Sequence, residues 1–496
     1  MKKLAIPSVL FLLFAWACYE DKGNYDYNDI MVNKITIRYP VYSVSVYLGD
    51  PVVFTPTLTY ANKEQADTNI YTWEYHFNYL GLVCTERNMN KVFEEVLPGR
   101  SYDGIVIATD TTTGAKYTQN IGFTYRSPYV VGYLLLANEG GKSKLHLLRE
   151  LNGNWSKVED LYRVTNNAEL GTNPTGMDIN RRGRKEVRVM QDGPEGAIVL
   201  SGDSYQRVCT YGEEFLGGTL PAGFKPKAFS GGGNVAAMLG ENGTIYTKTF
   251  SGVYASELFA PVPCVYGTTP LDVQYLLMDA GYMYSPYVYD RNTSSFYLLY
   301  GASYYYAGTF SPIRPPEGWS DPVVPPPNDL SDYEIVAARV KPSDSYDVTI
   351  VAMLKKRASG ELFVYTISHG GSGSPAARAS TLTLDAFTAA SSVDANTMYH
   401  FLQTRPYFFF TGGSAPSKLY CYDLRTKSAW EFKDYGSRIL AMESNYTNDN
   451  ALCVALENGE VYVEDIQEST FISGEGKVIF NASLPGKVVD IDYKDY

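Results

Sequence analysis

Two distant stretches of this chain follow one plan. Residues 234–250 read NVAAMLGENGTIYTKTF, and residues 450–466 read NALCVALENGEVYVEDI. Each opens on Asn, runs through an apolar strand, turns on Glu-Asn-Gly and leaves on an alternating strand. Asn-Gly supplies the positive φ that a tight hairpin needs. YVVGYLLLANEGGKSKLHLLREL, KEVRVMQDGPEGAIVLSG, YMYSPYVYDRNTSSFYLLYG, DVTIVAMLKKRASGELFVYTI and RPYFFFTGGSAPSKLYCYDL are further copies. Their turns centre near residues 140, 193, 242, 292, 358, 413 and 458, so successive gaps are 53, 49, 50, 66, 55 and 45. An extra apolar strand often precedes the hairpin, as in VQYLLMDA, EIVAARV and SRILAMES.

Seven units of about 50 residues, each with three or four antiparallel strands, predict a seven-bladed β-propeller over residues 128–496. One flat sheet of that many strands would twist badly and expose long edges, whereas a ring leaves only short ones. The terminal run KVVDIDY (487–493) is positioned to close the ring against YVVGYLLL. Two or three β-sandwiches in series is the competing arrangement, because the spacing is irregular. No unit carries a W-D ending, a kelch-type Gly-Gly or a sialidase box. Composition agrees with an all-β chain: 43 Tyr and 43 Gly accompany 26 Pro, and helix-periodic stretches are hard to find.

Residues 30–127 have a different rhythm. NKITIRYP, VYLGDPVVFTPTLTY, IYTWEYHF and the hairpin SYDGIVIATDTTTGAKYTQNIGFTY give about seven short strands with Trp73 in mid-strand. That pattern suggests an immunoglobulin-like β-sandwich with Trp73 in its core. Gly49, Asp50 and Phe54, then Tyr71 and Trp73, then Tyr102, Val106, Thr109 and Asp110 resemble the polycystic-kidney-disease (PKD) type of sandwich. The start CYEDKGNYDYNDI also resembles the PKD-like lipoproteins of gut bacteria. The G-x-W-x-F-G-D-G core is absent, so the resemblance is to the looser PKD-like group. It implies a spacer role for this domain.

The amino terminus has Lys2 and Lys3 ahead of an apolar run over residues 4–17, about half the ~20 residues of a membrane-spanning helix. A cleaved signal peptide (1–17) is expected. Ala15, Trp16 and Ala17 before Cys18 resemble a lipobox, which implies lipidation of Cys18 and a tether over residues 18–29; an ordinary signal peptide beside a chance cysteine is the alternative. Several acyl chains anchor a protein stably. Glu20 and Asp21 resemble the surface-export signal of some Gram-negative lipoproteins. Outer-membrane attachment with exposure at the cell surface is therefore the expectation. The formal charge of −12 becomes −14 without Lys2 and Lys3, which argues against nucleic acid as a partner.

No catalytic residue is assigned. HGGSGSP misses the last Gly of a nucleophile elbow, and H-E-x-x-H and P-loop motifs are absent. DRNTSS starts like a calcium loop but has Gly301 at its twelfth position, so it reads as a hairpin turn. His76, His146, His369 and His400 stand apart, and no metal or cofactor is expected. Cys84, Cys209, Cys264, Cys421 and Cys453 read as buried thiols; one disulfide is possible, but spacing names no pair. Three consecutive Phe in RPYFFF suggest a strand buried on both faces. The longest gap holds YGASYYYAGTFSPIRPPEGWSDPVVPPPNDL (300–330), whose prolines stiffen it. Tyr304, Tyr305, Tyr306 and Trp319 are candidate ligand-stacking groups; the alternative is a strand plus a bridge between blades.

The family resemblance implies an accessory subunit that binds glycan or peptide, or docks onto a TonB-dependent transporter of the starch-utilisation type and its lipoprotein lid. Two other readings stay open: a propeller-type surface glycoside hydrolase or lyase, whose paired carboxylates need leave no local motif, and an adhesin for host or matrix protein.

Overall fold

The computed structural model describes residues 35–60, 70–94, 96, 100–151, 153–180, 185–232, 235–249, 258–277, 286–300, 309–342, 347–370, 378–471 and 476–495. Cys18, the tether and Tyr304 to Tyr306 lie outside them. The chain divides into two compact units, residues 1–126 and 127–496.

The first unit is a β-sandwich. Its larger sheet has five strands, in the order Ser43–Tyr47, Lys116–Arg126, Ser101–Asp110, Tyr71–Phe77, Gly81–Cys84. Two ribbons, Ile35–Arg38 with Thr57–Tyr60 and Val52–Phe54 with Met89–Lys91, contribute to the same core. Alternation along YTWEYHF explains the packing: Tyr71, Trp73, Tyr75 and Phe77 all point inward and are buried. Trp73 is a core residue, as its mid-strand position predicts. The 101–126 hairpin turns at Asp110, whose Oδ1 accepts the N–H groups of Thr112 (2.7 Å) and Thr113 (3.1 Å).

The second unit is the seven-bladed β-propeller. Its innermost strands are Lys487–Asp495 for blade 1, then Thr172–Asn180, Pro226–Gly232, Val273–Leu277, Tyr333–Pro342, Tyr399–Phe401 and Ile439–Ser444 for blades 2 to 7. Each is followed outward by a hairpin at the expected turn. Blade 3 has three described strands and the others have four. The ring closes as the terminal run predicts. Lys487–Asp495 pairs antiparallel with Val131–Glu139, placing Tyr493 opposite Tyr133 and Ile491 opposite Leu135.

The second strand of each blade is packed on both faces by neighbouring blades, so it reads as a continuous apolar run rather than an alternation. Blade 6 shows this plainly. Phe408 and Phe410 pack toward Val351 and Met353 of blade 5, while Tyr407 and Phe409 pack toward Leu452 and Val454 of blade 7. All three Phe are fully buried, which explains RPYFFF. Each buried large apolar side chain contributes about 1.5–3 kcal/mol of transfer free energy. In the Glu-Asn-Gly turns, glycine alone takes the positive φ, +81° at Gly243 and +87° at Gly459. Asn caps the turn instead: Asn242 Oδ1 accepts the Thr244 N–H and Asn458 Oδ1 accepts the Glu460 N–H, both at 3.1 Å.

Candidate functional site

An innermost propeller strand pairs with its own blade on one side only. Its other edge faces the centre with N–H and C=O groups that need partners. The sequence supplies these from adjacent blades. Asp490 Oδ2 on blade 1 accepts the Met177 N–H of blade 2 (2.8 Å), and Asp492 Oδ2 accepts the Ile179 N–H (3.0 Å). Asp178 Oδ2 on blade 2 then accepts the Phe229 N–H of blade 3 (2.6 Å). Carboxylates thus stitch blade 1 to blade 2 and blade 2 to blade 3. Between blades 4 and 5 the polarity is reversed: Gln274 Nε2 donates to Ile335 O (3.1 Å) and the Tyr275 hydroxyl donates to Val336 O (2.8 Å).

These edges enclose a central cavity of about 360 Å³. Every blade lines it, with Asp178, Asp490, Asp492 and Glu443 as the acids and Arg339 as the cation. Arg339 Nη2 donates to Glu443 Oε1 (3.2 Å). Desolvation by the wall is the main cause that pushes the Asp490 carboxyl up, to about 7, with Asp492 adding repulsion. Desolvation also raises Asp178 well above the usual carboxylate range, again with repulsion from Asp490 and Asp492.

Beside the cavity lies a Ser, a His and an Asp. His400 Nε2 is 3.0 Å from Ser444 Oγ, and Ser444 Oγ donates to Asp449 Oδ1 (2.7 Å). Asp449 Oδ2 also accepts the Thr404 N–H (2.5 Å) and hydroxyl (2.8 Å). In a nucleophilic triad the imidazole sits between hydroxyl and carboxylate. Here the hydroxyl sits in the middle and donates to the acid. Ser444 and Asp449 are 0% exposed and His400 4%, so no substrate carbonyl reaches the serine. The group is a packing network between blades 6 and 7. Burial, reinforced by Arg339, holds His400 down to about 3.

Trp319 is half-buried against the core shared by blades 4 and 5, and its Nε1–H donates to Val324 O (3.3 Å). The proline segment around it runs between those blades. Ile313 and Leu330 are fully buried in that core, the Tyr365 hydroxyl donates to Pro325 O (2.7 Å), and the Phe296 N–H donates to Pro327 O (2.9 Å). The structure therefore places Trp319 in a packed strap and does not bring it to the central cavity. Among the described residues no group of three or more His, Cys, Asp or Glu is arranged to hold a metal ion.

Sequence reasoning missed the cavity acids. One signal for them exists: the innermost strands of blades 1 and 2 carry Val489-Asp490-Ile491-Asp492 and Met177-Asp178-Ile179-Asn180, and the first Asp of each stitches to the next blade.

Residues 18–174 match the model of the PKD-like family. The match takes in the sandwich and the start of the propeller. No curated protein matches the chain. Among solved structures, it is similar to a quinonprotein alcohol dehydrogenase-like protein from Bacteroides thetaiotaomicron (12% identity, TM-score 0.41, covering 92% of this chain and 99% of that one). It is also similar to apo AztD from Citrobacter koseri (12% identity, TM-score 0.38, 85% and 98% covered). The WD40 domain of Pan2 from Neurospora crassa is a further likeness (11% identity, TM-score 0.38, 64% and 82% covered).

Proposed function

We propose that this protein is a non-catalytic binding or docking subunit, held at the outer-membrane surface by lipid on Cys18 and serving a TonB-dependent uptake system for glycan or peptide. The observation that carries the non-catalytic part is the commitment of three of the four cavity carboxylates, Asp490, Asp492 and Asp178, to backbone N–H groups across blade boundaries, with the fourth, Glu443, bonded to Arg339. A carboxylate that satisfies a strand edge is poorly placed to move along a reaction coordinate, and its loss would cost the ring first. The lipid and the importer rest on the lipobox-like sequence and on the resemblance to PKD-like lipoproteins, to which the family match over residues 18–174 adds support.

The test is affinity capture of the full-length protein from detergent-solubilised outer membranes, after growth with an alkyne fatty acid. Label on the wild type that is lost in Cys18→Ser, together with recovery of a TonB-dependent barrel, is the expected result. Unlabelled soluble protein would overturn the anchor. Turnover of a glycan by the purified protein, with no transporter recovered, would overturn the accessory role. Replacing Tyr305 and Trp319 together by Ala asks separately whether the 300–330 segment touches ligand: unchanged binding removes it from the site.

A further inference from the structure

The seam that closes the ring has an unusual construction. Asp490 and Asp492 sit two residues apart on the last strand and face the same cavity as Asp178 on the adjacent blade. All three accept backbone N–H groups of the following blade, so they approach one another because the edges must be satisfied. The other charges here are few. Glu443 of blade 7 adds repulsion to Asp490, and Arg188 of blade 2 adds attraction to Asp178. Arg339 of blade 5 lines the same cavity but is bonded to Glu443. Lys494, on the closing strand, is fully buried and donates to Tyr129 O (3.3 Å), with its ammonium 4.8 Å from the Tyr205 ring centre.

We propose that this seam is an acid-tightened clasp: protonation at the cavity wall holds the closing strand against blade 2, and the approach to neutral pH loosens it. Asp490 Oδ1 also accepts the Ile491 N–H of its own strand (2.9 Å), so a proton on that oxygen weakens a bond within the strand, while the carbonyl oxygen keeps the Met177 N–H across the seam and the repulsion is removed. The folded Asp490 carboxyl titrates at about 7, against about 3.9 in an unfolded chain. A raised acid means that the closed seam binds more protons than the open one. Its contribution is fully present below about pH 4 and is lost as pH rises toward 7.

The direct readout is amide hydrogen exchange in the full mature chain, corrected for intrinsic rates, between pH 5 and pH 8. Residues 487–495 and 172–180 are compared with the blade 5 strand at 347–356. The opening constant of the seam should rise by up to tenfold per pH unit between 5 and 7 and turn down above 7, where Lys494, held down to about 7 by burial, loses its proton in the closed seam before the open one, while blade 5 does not follow. Asp490→Asn, which keeps the acceptor and cannot ionise, should flatten that rise. An equal slope in Asp490→Asn and wild type, or a wild-type seam that simply tracks blade 5, overturns the proposal. If Asp490→Asn fails to fold, the wild-type comparison of seam with blade 5 still decides.

Discussion

Around the cavity, blades 1 to 3 meet through carboxylates that accept from backbone, whereas blades 5 to 7 add to their side chain–backbone bonds a chain of side chains that bond to one another. The first arc uses Asp490, Asp492 and Asp178 against bare strand edges. Behind it, Arg188 is fully buried, bonded to Glu214 (2.5 and 3.0 Å) and Glu186 (2.6 Å), with its guanidinium 3.5 Å from the centre of the Phe229 ring. The second arc links Arg339, Glu443, His400, Ser444 and Asp449 in a chain. The arcs should titrate in opposite directions. Asp490 is raised, so its contribution fades as pH rises. His400 is depressed to about 3, so its contribution is present above the ordinary histidine range, near 6.5, and fades as pH falls toward 3. The two windows overlap between about pH 4 and pH 6.5, so the contributions offset one another in global stability there, and each arc has to be read locally.

The largest break is expected at Arg188→Met. Among the described residues it leaves Glu186 beside Glu214 with Lys248, 2.7 Å from Glu214, as the remaining ion-pair partner. Removing one partner of a buried ion group costs about 3–5 kcal/mol, readable as a drop in the denaturant midpoint. Asp449→Ala breaks the opposite arc. It strands the donors of Thr404 and Ser444 and puts alanine at a φ of +50°. A loss of about 3 kcal/mol is expected. Asp449→Asn keeps an acceptor and tolerates that φ, so it should recover more than half of the loss. Next in size is His400→Gln. It should weaken the acid destabilisation between pH 6 and pH 4, seen as a shallower fall of Tm with falling pH, and leave the pH 5–7 behaviour of residues 487–495 unchanged. A changed seam in that variant would show that the arcs are coupled.

The blades were legible because a hairpin with an apolar second strand announces itself at every repeat. Tyr407 to Phe410 cannot be a surface strand, and the Gly243 and Gly459 turns fix where chains reverse. Ring closure was legible for the same reason, since the spare strand at 487–493 needs an edge and Val131–Glu139 offers one. The arcs were hidden. Alternating acids in KVVDIDY look like the solvated face of a strand, and nothing local shows that this face meets another blade's edge. His400, Ser444 and Asp449 come together only through pairing across blades 6 and 7. Trp319 illustrates the converse: an aromatic among prolines reads as a platform, yet its ring packs against the core of the two blades that its own segment joins.

The smallest effect separates the arcs at their outer turns. Gly243 in blade 3 and Gly459 in blade 7 occupy equivalent Glu-Asn-Gly turns, and alanine at either pays about 1–2 kcal/mol for the left-handed backbone. Their surroundings differ. A Cβ at Gly243 would overlap the Asp272 carboxylate, and that group can swing with Arg291, which donates to it from Nε (3.0 Å). A Cβ at Gly459 would meet the backbone oxygen of Leu484 at 2.7 Å, just ahead of the closing strand, where the Leu484 N–H donates to Gly459 O (2.8 Å). Backbone yields less readily than an exposed side chain. Gly459→Ala should therefore lose about 1 kcal/mol more than Gly243→Ala by denaturant midpoint. Equal losses would mean that the approach to the closing strand is as pliable as the exposed Asp272–Arg291 pair.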